Sequence, residues 1–236
     1  MSDVGDTISV DNARWSFGES VPETFDSHVG RSVPQYRQGH EIVVALSDFF
    51  IHPGSTVYDL GCSTGELTRQ MAEANSDRDV SFIGLEIEPA MVEAAKRKTA
   101  NFPRVEIRQA NIIEAEFEPA DLIVSYYTIQ FVRPTVRQLV FDKIYNSLNW
   151  GGGFLLFEKV RAPDARFQDM MSLLYTDFKL KQGFTEQEIL NKSRSLKGVL
   201  EPFSTQGNID LMRRAGFIDI MTVFKHLCFE GFLAIK

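Results

Sequence analysis

The chain has 236 residues, 44% of them hydrophobic and 24% charged, with a formal net charge of −7. That length suits one domain, or one domain with an insertion, and the apolar content supports a core without disulfide or metal staples. The acidic balance argues against nucleic acid as a partner, because phosphate neutralisation needs a basic surface. Two distant cysteines, Cys62 and Cys228, have neither zinc-ligand spacing nor the look of a secreted disulfide framework, so a reducing, cytoplasmic setting is expected. No cationic–apolar leader opens the chain, and no apolar run approaches the length of a membrane span. His28, His40, His52 and His226 lack metal-ligand spacing.

In chain order, residues 1–20 are polar and expected to be mobile. Apolar residues at helical spacing predict a helix over about 23–50, and "HPGS" (52–55) predicts a turn. Strands are expected at 56–61, 80–86, 105–111, 120–127 and 152–160. Helices are expected between them at 64–75, 89–100 and 134–148. A period that switches repeatedly between two and 3.6 marks a mostly parallel sheet covered by helices, an α/β Rossmann-like fold. After Val160 the alternation stops. Residues 163–200 read as an inserted helical cap, 208–215 as a short helix, and 217–224 with 228–236 as an antiparallel hairpin on the sheet edge. The expected organisation is a cover segment (1–50), an α/β core (51–162 and 201–236) and the cap.

The stretch "VYDLGCSTGELTRQM" (57–71) carries the chemistry. In open parallel sheets ligands bind beyond the carboxyl ends of the strands. Gly61 and Gly65 allow close backbone approach, and the next helix offers free N–H groups. A dinucleotide fold places a second glycine where Ser63 stands, and Asp59 would repel a pyrophosphate. A nicotinamide-dependent oxidoreductase is therefore disfavoured, and a cationic ligand fits.

The segment D-L-G-C-S-T-G resembles the first motif of class I methyltransferases, which bind S-adenosylmethionine (SAM). Glu86, with Ile87 beside it, ends the second strand where a carboxylate accepts from both ribose hydroxyls. Asn111 and Ile112 end the third strand, where they would flank the adenine; a turn asparagine is the competing reading. "NWGGGFLLFEK" resembles the segment opening the fifth strand of these enzymes.

The likeness goes further. "FDSHVGRSVPQY" (25–36), "VYDLGCSTG" (57–65), "EPAM" (88–91), "DKIYNSLNWGG" (142–152), "DFK" (177–179) and "TEQEI" (185–189) resemble the carboxy-S-adenosylmethionine synthase family of tRNA wobble-uridine modification, which uses SAM and prephenate. The resemblance covers about Trp15 to Lys236. It implies that Tyr36 packs near the cofactor, that Gly61, Cys62 and Ser63 touch its amino-acid part, and that Glu86 holds the ribose. The family's usual Asp, Asp and Asn are here Glu86, Asn111 and Tyr126. Its Lys-Arg-Ser, whose arginine pairs with the added carboxylate, reads "NKSRSL" here, with Ser193 at the arginine's place and Arg194 one residue on.

These departures predict ordinary SAM as cofactor, with S-adenosylhomocysteine (SAH) as product and no metal. The expected reaction is methyl transfer to a small-molecule acceptor. Carboxy-SAM synthesis is the alternative, and a catalytically silent SAM-binding module the second. Candidate catalytic groups are His28 as base, Tyr126 and Tyr127. Tyr127, Tyr175 and Arg194 are substrate-side candidates, and Tyr126 also belongs with the cofactor set. Glu158 is expected to be structural or at the rim. The family's cap implies a homodimer.

Overall fold

The computed structural model describes residues 22–236, and the backbone of a short antiparallel pairing of Ser2–Asp3 with Ser9–Val10. The expectation of mobility for residues 1–20 falls, apart from those four, outside the described residues.

Seven strands form one sheet: β1 (Thr56–Leu60), β2 (Ser81–Glu86), β3 (Val105–Gln109), β4 (Ala120–Tyr126), β5 (Leu148–Lys159), β6 (Asp219–His226) and β7 (Phe229–Ile235). Their order is β3-β2-β1-β4-β5-β7-β6. The first five are parallel, while β7 runs antiparallel between β5 and the edge strand β6. The fold class read from periodicity is the one observed.

Side-chain alternation assigns the two faces. Tyr58, Ile123, Phe154 and Leu156 point to one face, where they meet α5 (Pro134–Ser147) and α8 (Thr205–Ala215) through Phe141, Ile144, Leu211 and Met212. Val57, Leu122, Leu155 and Phe157 point to the other, against α2 (Tyr36–Ser47) and α3 (Glu66–Ala74) through Val43, Leu67 and Met71. α4 (Pro89–Thr99) packs beside α3. Burying each such aliphatic or aromatic side chain contributes roughly 1.5–3 kcal/mol.

Two differences from the sequence reading have local causes. The helix expected over 23–50 is broken into α1 (Phe25–Ser32) and α2. Val33 precedes Pro34 and is extended, as the proline ring demands, and Gln35 is left-handed at φ 58°. β5 starts at Leu148 rather than 152, because the pairing with β4 slips between Ala120 and Leu122 and lets "NWGG" bulge. The cap region holds α6 (Ala165–Lys181) and α7 (Glu186–Ser195). Asp164 caps α6, and Thr185 with Glu188 forms a capping box at α7.

α1 and α2 are seated over the strand ends by contacts of two kinds. Asp26 of α1 accepts from Thr64 Oγ1 (2.6 Å) and pairs with Lys98, which also reaches Glu66 (3.2 Å). α2 meets β4 with no space to spare: a Cβ at Gly39 would lie 2.1 Å from Tyr126 Oη, and that hydroxyl donates to Tyr36 O (2.6 Å). Gly39→Ala is expected to lower stability by roughly 1–3 kcal/mol through overpacking. Urea denaturation checks this, and an unchanged midpoint would mean α2 does not rest on Tyr126.

Candidate active site

The strand order reverses between β1 and β4, which opens a crevice where Asp59–Gly61 and Tyr126–Thr128 emerge side by side. α1, α2, α6 and α7 close over it, enclosing a cavity of about 920 Å³. At the β1–β2 end its wall is acidic, with Asp26, Asp59, Glu66, Glu86 and Glu88. Where β5, α6 and α7 close it the wall is basic, with Lys159, Arg161, Lys179, Lys192 and Lys197. Phe25, Tyr36, Tyr126, Tyr127, Tyr175 and Phe229 line it between.

At the acidic end, Asp59 is 2% exposed and Glu86 8%. Asp59 accepts from Thr68 Oγ1 (2.6 Å), and burial pushes its carboxyl up to about 6 despite that bond. Glu86 accepts three backbone N–H bonds, from Ser63 (2.9 Å), Ile87 (2.8 Å) and Glu88 (3.0 Å). Burial raises its pKa and the three donors oppose the rise. Among the described residues neither carboxylate has an ion pair. Two buried anions without a cation are costly, so this donor set fits a cationic ligand such as SAM. Gly61 (φ 72°) and Ser63 (φ 56°) are left-handed, which turns the loop between the two carboxylates. A Cβ on Gly61 would strike Thr128 Cγ2 at 2.3 Å.

The structure brings most of the sequence candidates together. Tyr36, Asp59, Gly61, Cys62, Ser63, Glu86, Ile87, Asn111, Ile112, Tyr126, Tyr127, Tyr175 and His28 all line the cavity. Several stand differently from expectation. His28 is buried, and its Nε2 lies within hydrogen-bond distance of Lys192 Nζ, so this ring nitrogen already has a partner within the protein. Gly65 does not line the cavity; it is the left-handed cap of α3 and packs on Ala95. Asn111 Oδ1 accepts from the Ile113 N–H (3.0 Å), the turn arrangement that competed with an adenine contact. Arg194 is exposed and outside the cavity, while Lys192 and Ser193 line it. Ser193 and Arg194 lie about 100° apart around the helix, and of that pair α7 turns only Ser193 to the cavity. Glu158 is 1% exposed beneath the loop after β4, where Oε1 accepts from Gln130 N (3.2 Å), and it does not line the cavity. Cys62 is a packing thiol against Gly84, and burial raises its pKa.

Sequence reasoning missed His40, Lys159, Lys179 and Lys192. His40 sits one turn after Tyr36 on α2. It is 3% exposed with its Nε2 unpartnered among the described residues, and burial lowers its pKa to about 4. The (i, i+4) spacing from Tyr36 was the available signal. Tyr127 departs from ordinary backbone geometry at φ 60°, and its buried hydroxyl has no hydrogen-bond partner among the described residues. Non-glycine residues held in this region cost about 1–3 kcal/mol and cluster at functional sites.

Comparison with known proteins places this geometry. Residues 57–152 match the family model described as "Methyltransferase domain". Carboxy-S-adenosyl-L-methionine synthase of Campylobacter lari is 36% identical over 224 residues, which is 94% of this chain and 95% of that protein. The protein of the same name from Staphylococcus epidermidis is 35% identical, covering 94% and 97%. A putative SAM-dependent methyltransferase from Methanococcus maripaludis superposes with a TM-score of 0.62 at 19% identity, covering 97% of each chain. No described helix is long and apolar enough to cross a membrane. The paired buried carboxylates, the β1 turn and full-length similarity above 30% lead to one conclusion: the chain belongs to the carboxy-S-adenosyl-L-methionine synthase family and has the fold of the SAM-dependent methyltransferases.

Proposed function

We propose that the protein transfers the methyl group of SAM to a small, partly apolar acceptor. The observation that carries this reading is the cavity wall at α7. Ser193 stands there in the place of the family's carboxylate-pairing arginine, and Arg194 faces outward. An added carboxylate on the cofactor would lack its guanidinium partner. SAM supplies a methyl group on a positively charged sulfur that leaves as a neutral thioether. The chain's task is then placement. Asp59 and Glu86 hold the cationic donor, the aromatic wall and the two cover helices exclude water, and the loop after β4 presents the acceptor. Alignment of this kind supplies roughly 7–11 kcal/mol of the barrier reduction.

A second reading, carboxy-SAM synthesis, is favoured by the names of the relatives and by Lys192, a cation beside Ser193 that does line the cavity. Mass spectrometry of the nucleoside products separates the two. With SAM and a panel of small phenols, enols and acids, SAH and a methylated acceptor are expected. A nucleoside heavier than SAM by one carboxyl, formed only when prephenate is added, would instead establish the second reading.

Asp59 gives the methyl-transfer reading a pH signature. Its carboxyl is pushed up to about 6, and a bound cation stabilises only the ionised form. Protons and SAM therefore compete. SAM affinity is expected to be flat above pH 7 and to fall below pH 6, approaching tenfold per unit. Calorimetric titrations at pH 5 and pH 7.5 check this, and equal affinities would remove Asp59 from the cofactor site.

The homodimer is also proposed. α6 exposes Phe167, Met170, Leu173 and Leu174, an apolar stripe at helical spacing. Light scattering is expected to give a dimer mass, and Met170→Glu with Leu173→Glu a monomer. A monomeric wild-type chain would end the proposal.

A further inference from the structure

We infer that α1 is a gate over the cofactor end of the cavity, hinged at Val33–Gln35 and held shut by Asp26 on Thr64 and Lys98. The gate serves either proposed reaction, since both bring SAM into this cavity, and it rests on that shared premise.

Asp59 and Glu86 are buried, and Phe25, Asp26, Val29 and Ser32 of α1 line the same cavity, so a cofactor reaches the two carboxylates only if part of this wall moves. α1 is poorly built as a permanent wall. It has eight residues, includes Gly30, and receives no side-chain cap from Thr24. Its buried residues, His28 and Ser32, are both polar, whereas α2 and α3 bury Val43, Leu67 and Met71. Short helices owe their stability to an apolar face packed on the core, so α1 belongs with the low-stability segments from which moving elements are drawn. Its link to α2 already departs from helical geometry. Val33 is extended, Pro34 follows it, and Gln35 is left-handed at φ 58°. A change in φ and ψ over these three residues swings α1 without disturbing α2.

At its first turn α1 is tied down by a latch. Asp26 accepts from Thr64 Oγ1 (2.6 Å) and pairs with Lys98, in the last turn of α4. The same ammonium reaches Thr64 Oγ1 (3.1 Å) and Glu66 (3.2 Å). Asp26 and Glu66 therefore share one cation, and without it they would face each other as like charges. The Asp26 side chain is 47% exposed and that of Lys98 24%, so water and salt can compete for the pair. At its other end α1 is tied to the cap, where Tyr175 Oη donates to Ser32 O (2.8 Å) and Lys192 Nζ to Ser32 Oγ (2.8 Å). The free-swinging end is thus the Asp26 end. Thr64 follows Ser63, whose N–H goes to Glu86, so the latch closes onto the turn that faces the cofactor. Entry and exit both pass through the open state. A latch made equally with and without ligand sets both rates and cancels in the dissociation constant.

Surface plasmon resonance on the immobilised full chain reads both rates for SAH, which carries no net charge for salt to act on. Asp26→Asn is expected to raise the association and dissociation rates together, by roughly tenfold, with Kd constant within about twofold. Lys98→Met is expected to do the same by a larger factor, because it leaves Asp26 facing Glu66. Raising salt from about 50 mM to about 500 mM shortens the screening length about threefold, and is expected to speed exchange in the wild type but not in Asp26→Asn. Unchanged rates would overturn the latch, and so would a Kd that rises through dissociation alone, which would make Asp26 a cofactor contact. Hydrogen–deuterium exchange on the ligand-free chain reads the gate without SAH. Amides of α1 are expected to exchange faster than those of α2, and Asp26→Asn to accelerate α1 alone. Protection of α1 equal to that of α2, or unmoved by the substitution, would overturn the gate. Failure to bind SAH would sink the methyl-transfer reading, and hydrogen exchange would still decide the gate.

Discussion

Glu86→Ala is expected to raise the dissociation constant for SAM roughly a hundredfold, with little SAM bound at the concentrations the wild type needs. The carboxylate end of this side chain collects the N–H groups of Ser63, Ile87 and Glu88, so it shapes the turn after β1 as well as offering charge. Charge-assisted hydrogen bonds are worth about 1.5–3 kcal/mol each, and Ala removes all of them at once. Glu86→Gln keeps one acceptor oxygen and the side-chain volume and is expected to fall between. Glu86→Asp, the residue usual in the family, shortens the reach by one methylene and should retain most of the binding. Isothermal titration with SAM and SAH reads the series. Equal affinities for wild type and Glu86→Ala would detach the second strand from cofactor binding.

Arg137→Met is expected to cost about 3–5 kcal/mol of stability. Arg137 is fully buried. Its Nε and Nη2 donate to Val132 O (3.0 and 2.7 Å), Nη2 also donates to Gln130 O (3.2 Å), and the guanidinium lies 4.3 Å from the Phe203 ring centroid. These bonds hold the loop after β4 that presents Tyr127 and Gln130 to the cavity, so turnover should fall with stability. Arg137 also restrains Glu158, whose carboxyl burial pushes up to about 8 while the guanidinium pulls it down. The pH dependence follows from that direction. A carboxyl raised in the folded state favours folding most below its unfolded pKa of about 4.5, and the contribution is lost as pH climbs towards 8. Glu158→Gln is therefore expected to gain stability relative to wild type between pH 5 and pH 9. Urea denaturation at the two pH values checks both statements. A relative stability that does not change with pH would mean Glu158 is ionised throughout.

What could be read before folding was whatever depends on neighbours along the chain. The strand-and-helix alternation is a property of windows of a few residues, and β1 through β7 appear close to where the periodicity put them. The β1 turn was legible for the same reason: Asp59, Gly61, Ser63 and Glu86 lie at strand ends, and parallel pairing of β1 with β2 brings those ends together. The break at Pro34 was legible too, because the extended bias of Val33 is a local effect, but the apolar spacing on either side masked it.

The tertiary structure alone decided which charges share a wall. His28 reads as a free base in sequence, yet packing of α7 on α1 brings Lys192 to its Nε2. Whether Lys192, Ser193 or Arg194 enters the cavity turns on the docking rotation of α7, which no run of ten residues encodes. Lys159 and Lys179 look like ordinary solvated lysines until β5 and α6 close on Tyr175. The physical reason is that periodicity and turn chemistry act over one or two helical turns. Electrostatic neighbourhood is a sum over everything within several ångströms, and only the folded chain supplies that list.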